Sequence, residues 1–325
     1  MLVYLINRTF QSIAVMAVMA VIVFLGVYAI GNPIDLMISP DATQEEIAAA
    51  IARLGLDRPL HEQLWVFLVN AVQGDLGTSF VHNVSAVTLI LDRFPATMEL
   101  AFTAMLIAIL FGIPLGVIAG LRPNGVVGKT IMAGSILGFS LPTFWVGLLL
   151  MVVFAVKLGW LPATGRGETV DVLGVPVSFL TLDGLAHLIL PAINLALFKM
   201  SLVIRLARAG TREVIQQDYI RFARAKGLTS RRIVLVHVLK NMMIPVVTVL
   251  GLELGSVIAF AVVTESVFAW PGMGKLLIDS IVRLDRPVVV AYLMLTVVLF
   301  VAINFIVDLI YSLLDPRVRL TGESS

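Results

Sequence analysis

The chain has 325 residues, of which 59% are hydrophobic and only 14% charged, with a net charge of +2 and no cysteine. A soluble domain runs near half apolar and about a quarter charged, so too little polar surface remains to keep a globule in water, and a soluble enzyme is excluded. The missing cysteines exclude disulfide frameworks, thiolate metal sites, iron–sulfur clusters and cysteine nucleophiles, and so small a net charge does not suggest a nucleic-acid binder.

A bilayer core about 30 Å thick takes roughly 20 apolar residues per helix. Five runs meet this length nearly free of ionisable groups: Phe10 to Ile30, Leu100 to Leu121, Thr130 to Val156, Asn241 to Thr264 (broken once, by Glu253) and Pro287 to Val307. A sixth, Gly184 to Ile204, carries Lys199 near one end and Pro191 inside. The predicted fold is an all-α integral membrane protein of six transmembrane helices. The first run has about twice the apolar length of a signal-peptide core and no small-x-small cleavage site before Asn32, so it reads as an uncleaved anchor.

Between the first two runs, residues 31–95 are too patterned for a linker. Thr43-Gln44-Glu45-Glu46 is a capping box, Ile47, Ile51 and Leu54 follow at helical spacing, and Gly55 is a natural stop. Pro59 opens a second amphipathic stretch with Leu60, Leu64, Phe67, Leu68 and Ala71 on one face, ended by Gly74. The predicted result is a small external cap of short helices, which either receives a soluble partner or braces the span ends. The second run contains Gly112-x-x-x-Gly116-x-x-x-Gly120, and the fifth Gly251-x-x-x-Gly255, small-residue spacings that let helices approach closely in lipid. Gly125-Val126-Val127-Gly128-Lys129-Thr130 imitates a phosphate loop, but Pro123 stands where its first glycine belongs, so it reads as a turn. His61-Glu62 has Trp65 in place of the second zincin histidine, and His61, His82, His187 and His237 are scattered, so no metal site or catalytic residue is predicted.

The segment from Lys199 to Lys240 carries ten basic residues against two acids. Within it, Asp218 to Leu228 places Tyr219, Phe222, Ala223 and Lys226 along one helical face, Gly227 stops the helix, and Thr229 or Ser230 caps a new one leading into the fifth run. Such a helix fits either a groove on a cytosolic protein or a surface of anionic lipid. With the N-terminus inside, inner segments hold fifteen Lys and Arg against eight outside, while eight acids lie in the first outer loop, so both termini are predicted to be cytoplasmic. Among the acids interrupting apolar runs, Glu99 and Asp308 lie near run ends and read as interfacial or helix-terminal; Glu253 lies mid-run and is a candidate for the translocation pathway or for a structural pairing.

Asp218-Tyr219-Ile220-Arg221-Phe222-Ala223-Arg224-Ala225-Lys226-Gly227-Leu228, followed by His237-Val238-Leu239-Lys240-Asn241 and Ile244-Pro245-Val246-Val247, closely resembles the cytoplasmic loop of permease subunits from binding-protein-dependent ABC importers, in the dipeptide/oligopeptide/nickel branch. Leu54 to Pro59 with Gly74-Asp75-Leu76-Gly77, Thr264 to Gly274, and Asp308-Leu309-Ile310-Tyr311 with Asp315 to Arg319 agree with that branch. The general signature begins Glu-Ala-Ala, where this chain has Arg221, Phe222 and Ala223, with the later Gly227 retained. The resemblance implies a type I importer subunit with no catalytic role, divided into a first helix (1–30), an external cap (31–95), a five-span core (96–314) that includes a coupling loop (205–240), and a cytoplasmic tail (315–325) of a bacterial inner-membrane protein. It assigns Asp218, Tyr219, Arg221, Phe222, Ala223, Arg224, Ala225, Lys226 and Gly227 to a coupling helix seated on an ATPase subunit. It implies a second homologous permease, two ATP-binding cassette subunits that hold ATP and Mg, and an extracytoplasmic binding protein; this chain itself binds no cofactor. Peptides are the expected cargo, with nickel chelates, glutathione or opines as alternatives. An ion-gradient transporter using Glu253 is the competing class, and it leaves the basic loop unexplained.

Overall fold

The structure, a computed structural model, describes residues 2–28, 43–54 and 57–314. It is mostly helical, as the apolar runs require: with no water in hydrocarbon, a spanning segment must satisfy its backbone internally. Among the described residues five helices are long and apolar enough to cross a membrane, or six if one bent pair counts as a single span. The chain divides into two compact units, residues 1–95 with 272–325, and residues 96–271.

In the first unit, α1 (Leu2–Tyr28) packs against α12 (Arg286–Leu314) and against α3 (Leu60–Val72), where the Phe24 and Phe67 rings lie 5.6 Å apart. The predicted capping box opens α2 (Gln44–Leu54): the Thr43 N–H donates to Glu46 Oε2 at 2.9 Å and the Glu46 N–H to Thr43 Oγ1 at 3.3 Å. The expected stop at Gly55 lies outside the described residues. No α3 side chain is fully buried, so its apolar face is only partly covered within the chain. Gly74 closes α3 at φ +80°, with the Gly74 N–H on the Ala71 carbonyl and the Asp75 N–H on the Asn70 carbonyl. The unit is completed by α11 (Met273–Val282), and buried Asp285 accepts from Ser79 Oγ at 2.5 Å and from the Phe80 N–H at 3.0 Å.

In the second unit, α7 (Leu182–Ile215) is the central element, packed against α10 (Leu239–Val267), α5 (Val126–Ser140) and α6 (Thr143–Leu150). The glycine ladder of α4 (Ala86–Leu121) lies on α7 in matched register. A Cβ at Gly112 would come within 2.8 Å of Val203, one at Gly116 within 2.5 Å of Ala207, and one at Gly120 within 2.7 Å of Thr211. Both helices repeat every four residues along this seam, so the spacing serves close packing. Gly128 of the imitation phosphate loop likewise lets the α4–α5 turn close, since a side chain there would strike the Arg122 carbonyl.

Three features depart from the sequence expectation. The third run is not one straight span: α5 and α6 meet at a bend of 103°. Pro142 lacks an N–H and bars the preceding residue from helical angles, and Leu141 is extended at φ −83°, ψ 137°. The helix of the second run, α4, starts at Ala86, well before the apolar run, and carries Glu99 buried inside it. A small antiparallel hairpin, β1 (Val170–Val172) with β2 (Val175–Val177), interrupts the otherwise helical chain; three-residue strands are too short to stand out in the pattern.

Candidate functional site

Helix α7 continues past the apolar run to Ile215, and a turn at Gln216 and Gln217 leads into α8 (Asp218–Ala225). Ile220 (0% exposed) and Ala223 (7%) point into the chain, whereas Tyr219 (43%) and Phe222 (61%) face outward. Ala223 therefore leaves the face on which the sequence pattern put it with Tyr219 and Phe222. Ile220 decides this, because its burial at i carries the residue at i+3 inward with it. Asp218, Arg221, Arg224, Ala225, Lys226 and Gly227 are all exposed. Lys226 Nζ lies 4.6 Å from the Phe222 ring centre, and Arg221 reaches Asp218 at 3.4 Å, an exposed pair that contributes little to stability.

Gly227 ends α8 at φ +79°, its N–H on the Arg224 carbonyl at 2.9 Å and the Leu228 N–H on the Ala223 carbonyl at 3.2 Å. This paired geometry requires a left-handed residue, which glycine adopts without steric cost. Thr229 Oγ1 then accepts from the Arg232 N–H at 3.4 Å and caps the short α9 (Ser230–Arg232), which passes through a π-helical stretch, Ile233–Val238, into α10. The loop helix is thus slung between α7 and α10, with an aromatic pair displayed and an aliphatic pair anchored.

Glu253 lies on α10 and meets Lys199 of α7, with Glu253 Oε2 at 2.6 Å from Lys199 Nζ. Ser256 Oγ sits 2.6 Å from both. Lys199 Nζ is also 5.4 Å and 5.5 Å from the centres of the Phe198 and Phe260 rings. Sequence reasoning singled out Glu253 but grouped Lys199 with the inner loop; the base is 4% exposed and sits midway along α7. Its signal was present, since an ionisable residue inside an apolar run calls for a partner.

Glu99 is a buried hub inside α4, more than three turns from the helix start, and not a helix-terminal residue. Its carboxylate accepts from Arg166 Nη2 at 2.7 Å and Nε at 3.2 Å, from the Ser178 N–H and Oγ at 2.7 Å and 2.8 Å, and from the Phe179 N–H at 2.8 Å. These bonds fold the hairpin-bearing loop onto α4. Nearby, Thr97 Oγ1 donates to buried Glu265 at 2.6 Å and Trp270 Nε1 to the Ala96 carbonyl at 2.9 Å, which fixes the start of the Thr264 to Gly274 segment. The side chain of Asp308 lies outside those described. Among the described residues no group of three His, Asp or Glu could hold a metal ion.

Several membrane-crossing helices, a paired acid and base within them and an exposed amphipathic helix tethered between two of them define the membrane-embedded subunit of a transporter. The chain belongs to the family of binding-protein-dependent transport system inner membrane components: that family's model matches residues 112–320, and the model of the family's N-terminal region matches residues 1–101. It is 41% identical over 302 residues to the di/tripeptide transport system permease protein DppB of Pseudomonas aeruginosa, covering 89% of this chain and 90% of that one. It is 38% identical over 320 residues to the glutathione transport system permease protein GsiC of Salmonella choleraesuis (98% and 99% covered) and 39% identical over 318 residues to the oligopeptide transport system permease protein AppB of Bacillus subtilis (97% and 99%). The fold is similar to that of the inward-facing methionine ABC transporter MetNI, with a TM-score of 0.53 at 18% identity over 70% of this chain and 96% of that one. The chain is therefore a multi-pass permease subunit of a type I importer, a transport component and not an enzyme, which works with other components of such a system.

Proposed function

We propose that this permease forms half of the pathway of an ATP-driven importer of short peptides, and that α8 is its coupling helix. The observation that carries the reading is the display of Tyr219 and Phe222 on a helix anchored by Ile220 and Ala223. Exposed aromatics on a rigid, anchored turn suit the cleft of a protein partner, where such side chains are the usual anchors. Because α8 joins α7 to α10, and those helices carry the Lys199–Glu253 pair, movement of the lever reaches the interior directly. ATP and Mg belong to two cassette subunits, a second homologous permease completes the pathway, and a soluble binding protein delivers cargo to the cap formed by residues 31–95. The excess of Lys and Arg in the inner segments supports cytoplasmic termini in a bacterial inner membrane, with the core at 96–314, the coupling loop at 205–240 and the tail at 315–325. Peptide cargo rests on the relatives named for di/tripeptides, oligopeptides and glutathione, itself a tripeptide. Glu253 lines this route.

The test is Gly227→Val in the assembled importer. A β-branched residue at φ +79° distorts the end of α8, while open space around Gly227 rules out a clash as the cause. Vanadate-sensitive peptide uptake falls while the binding protein still captures peptide; unchanged uptake at normal expression refutes the coupling role.

A further inference from the structure

We infer that the break in the third span is a substrate subsite of the pathway, one that receives an uncharged, apolar side chain of the passing peptide. The inference rests on the peptide-importer reading and adds a place and a selectivity to it. At Leu141 and Pro142, where α5 ends and α6 begins, a cavity of about 310 Å³ opens, bounded by Phe139, Ser140 and Thr143 from the break, Phe198 from α7 and Phe260 from α10. Irregular backbone at membrane depth is tolerated only where it is buried in protein or faces a water-filled cavity.

The surroundings argue against a lipid-facing dent. Beside the rings lies the Lys199–Glu253–Ser256 cluster, with Glu253 only partly covered, and exposed Arg205 stands 5.0 Å over the Phe139 ring. Glu253, an ionisable side chain left partly open inside the spans, is costly against hydrocarbon and suits a wet route. The Phe139 and Phe198 rings stack at 5.1 Å between centres, and Phe198 and Phe260 meet tilted at 6.1 Å, so the three rings form one aromatic cluster with the Lys199 ammonium against two of them. A ligand in the cavity meets the Phe139, Phe198 and Phe260 rings and the Ser140 and Thr143 side chains. That chemistry takes an aliphatic or aromatic side chain, with the hydroxyls offering bonds to an adjacent peptide group.

The natural absence of cysteine makes the test direct. In membranes carrying the full importer, Ser140→Cys is labelled with a methanethiosulfonate reagent, and the modified peptide of this chain is quantified by mass spectrometry during ATP-driven turnover with trileucine, with triglycine, or with no peptide. Trileucine slows labelling several-fold and triglycine does not. In parallel, Phe260→Ala and the milder Phe260→Leu lower trileucine uptake roughly tenfold more than triglycine uptake, the scale of a lost hydrophobic pocket contact. Labelling that ignores trileucine in an importer that transports it, or equal losses for both peptides in both variants, overturns the subsite and leaves the peptide reading standing. An unaltered importer that moves neither peptide overturns both.

Discussion

Replacing Gly116 with alanine tests the packing logic of the second unit with a single methyl group. The added Cβ would lie 2.5 Å from Ala207 Cβ and 2.6 Å from the Ile204 carbonyl oxygen, whereas ordinary contact begins at 3.4 Å. The obstacle is largely backbone, so no side chain can swing aside and α7 must retreat from α4 by about 0.9 Å, the shortfall against 3.4 Å. A radial gap of roughly 0.5–1 Å forfeits a quarter to a half of the dispersion attraction of the atoms along it, here those at Gly112 with Val203 and Gly120 with Thr211. Overpacking of this kind costs about 1–3 kcal/mol. Gly134→Ala is the matched control: it also lies inside a helix, α5, but a Cβ there meets nothing within 4 Å. Exchanging a helical glycine for alanine without a clash gains up to about 1 kcal/mol. The assay is thermal inactivation of the purified importer complex in lipid nanodiscs, followed by ATP-driven uptake. Gly116→Ala melts at lower temperature and transports less, because α7 leads directly into α8, the proposed coupling helix, while Gly134→Ala melts at or above the wild-type temperature. If the two variants melt together, the seam is not the tight contact that these distances describe.

Either Lys199→Met or Glu253→Leu alone strands a charge inside the spans and destabilises the complex by about 3–5 kcal/mol, whereas the double variant recovers most of the loss; a double-mutant cycle of melting temperatures reads this, and additivity of the two single changes refutes the pairing. Glu99→Gln removes the charge from five hydrogen bonds and weakens the anchoring of the loop by roughly 3 kcal/mol, so tryptic cleavage after Lys157 or Arg166 in intact vesicles accelerates; an unchanged cleavage rate counts against the hub.

Much of this architecture is legible along the chain because it depends on local order. The apolar runs announce spans, Thr43 and Glu46 announce a capping box that the structure forms, and Gly227 announces a helix end that it makes at positive φ. The glycine ladder is legible too, although its partner is not: nothing in Gly112-x-x-x-Gly116 names Val203, Ala207 and Thr211. The rotation of α8 was half legible. Spacing alone grouped Ala223 with Tyr219 and Phe222, and only packing shows that Ile220 carries Ala223 inward.

By itself the sequence determined that this is a membrane protein, how its charges divide between segments, and where a short amphipathic helix lies between two spans, since hydropathy and capping act between near neighbours. Tertiary structure decided what the stray polar residues do. It joins Glu253 to Lys199, Glu99 to Arg166 and the Ser178 turn, and turns Pro142 from an interruption into the edge of a cavity. Those outcomes depend on contacts between residues tens of positions apart and on the rotation of each helix about its axis, which no local pattern encodes. The cost of leaving a charge or a peptide group unpaired in hydrocarbon says that partners must exist, and only the packed fold says which.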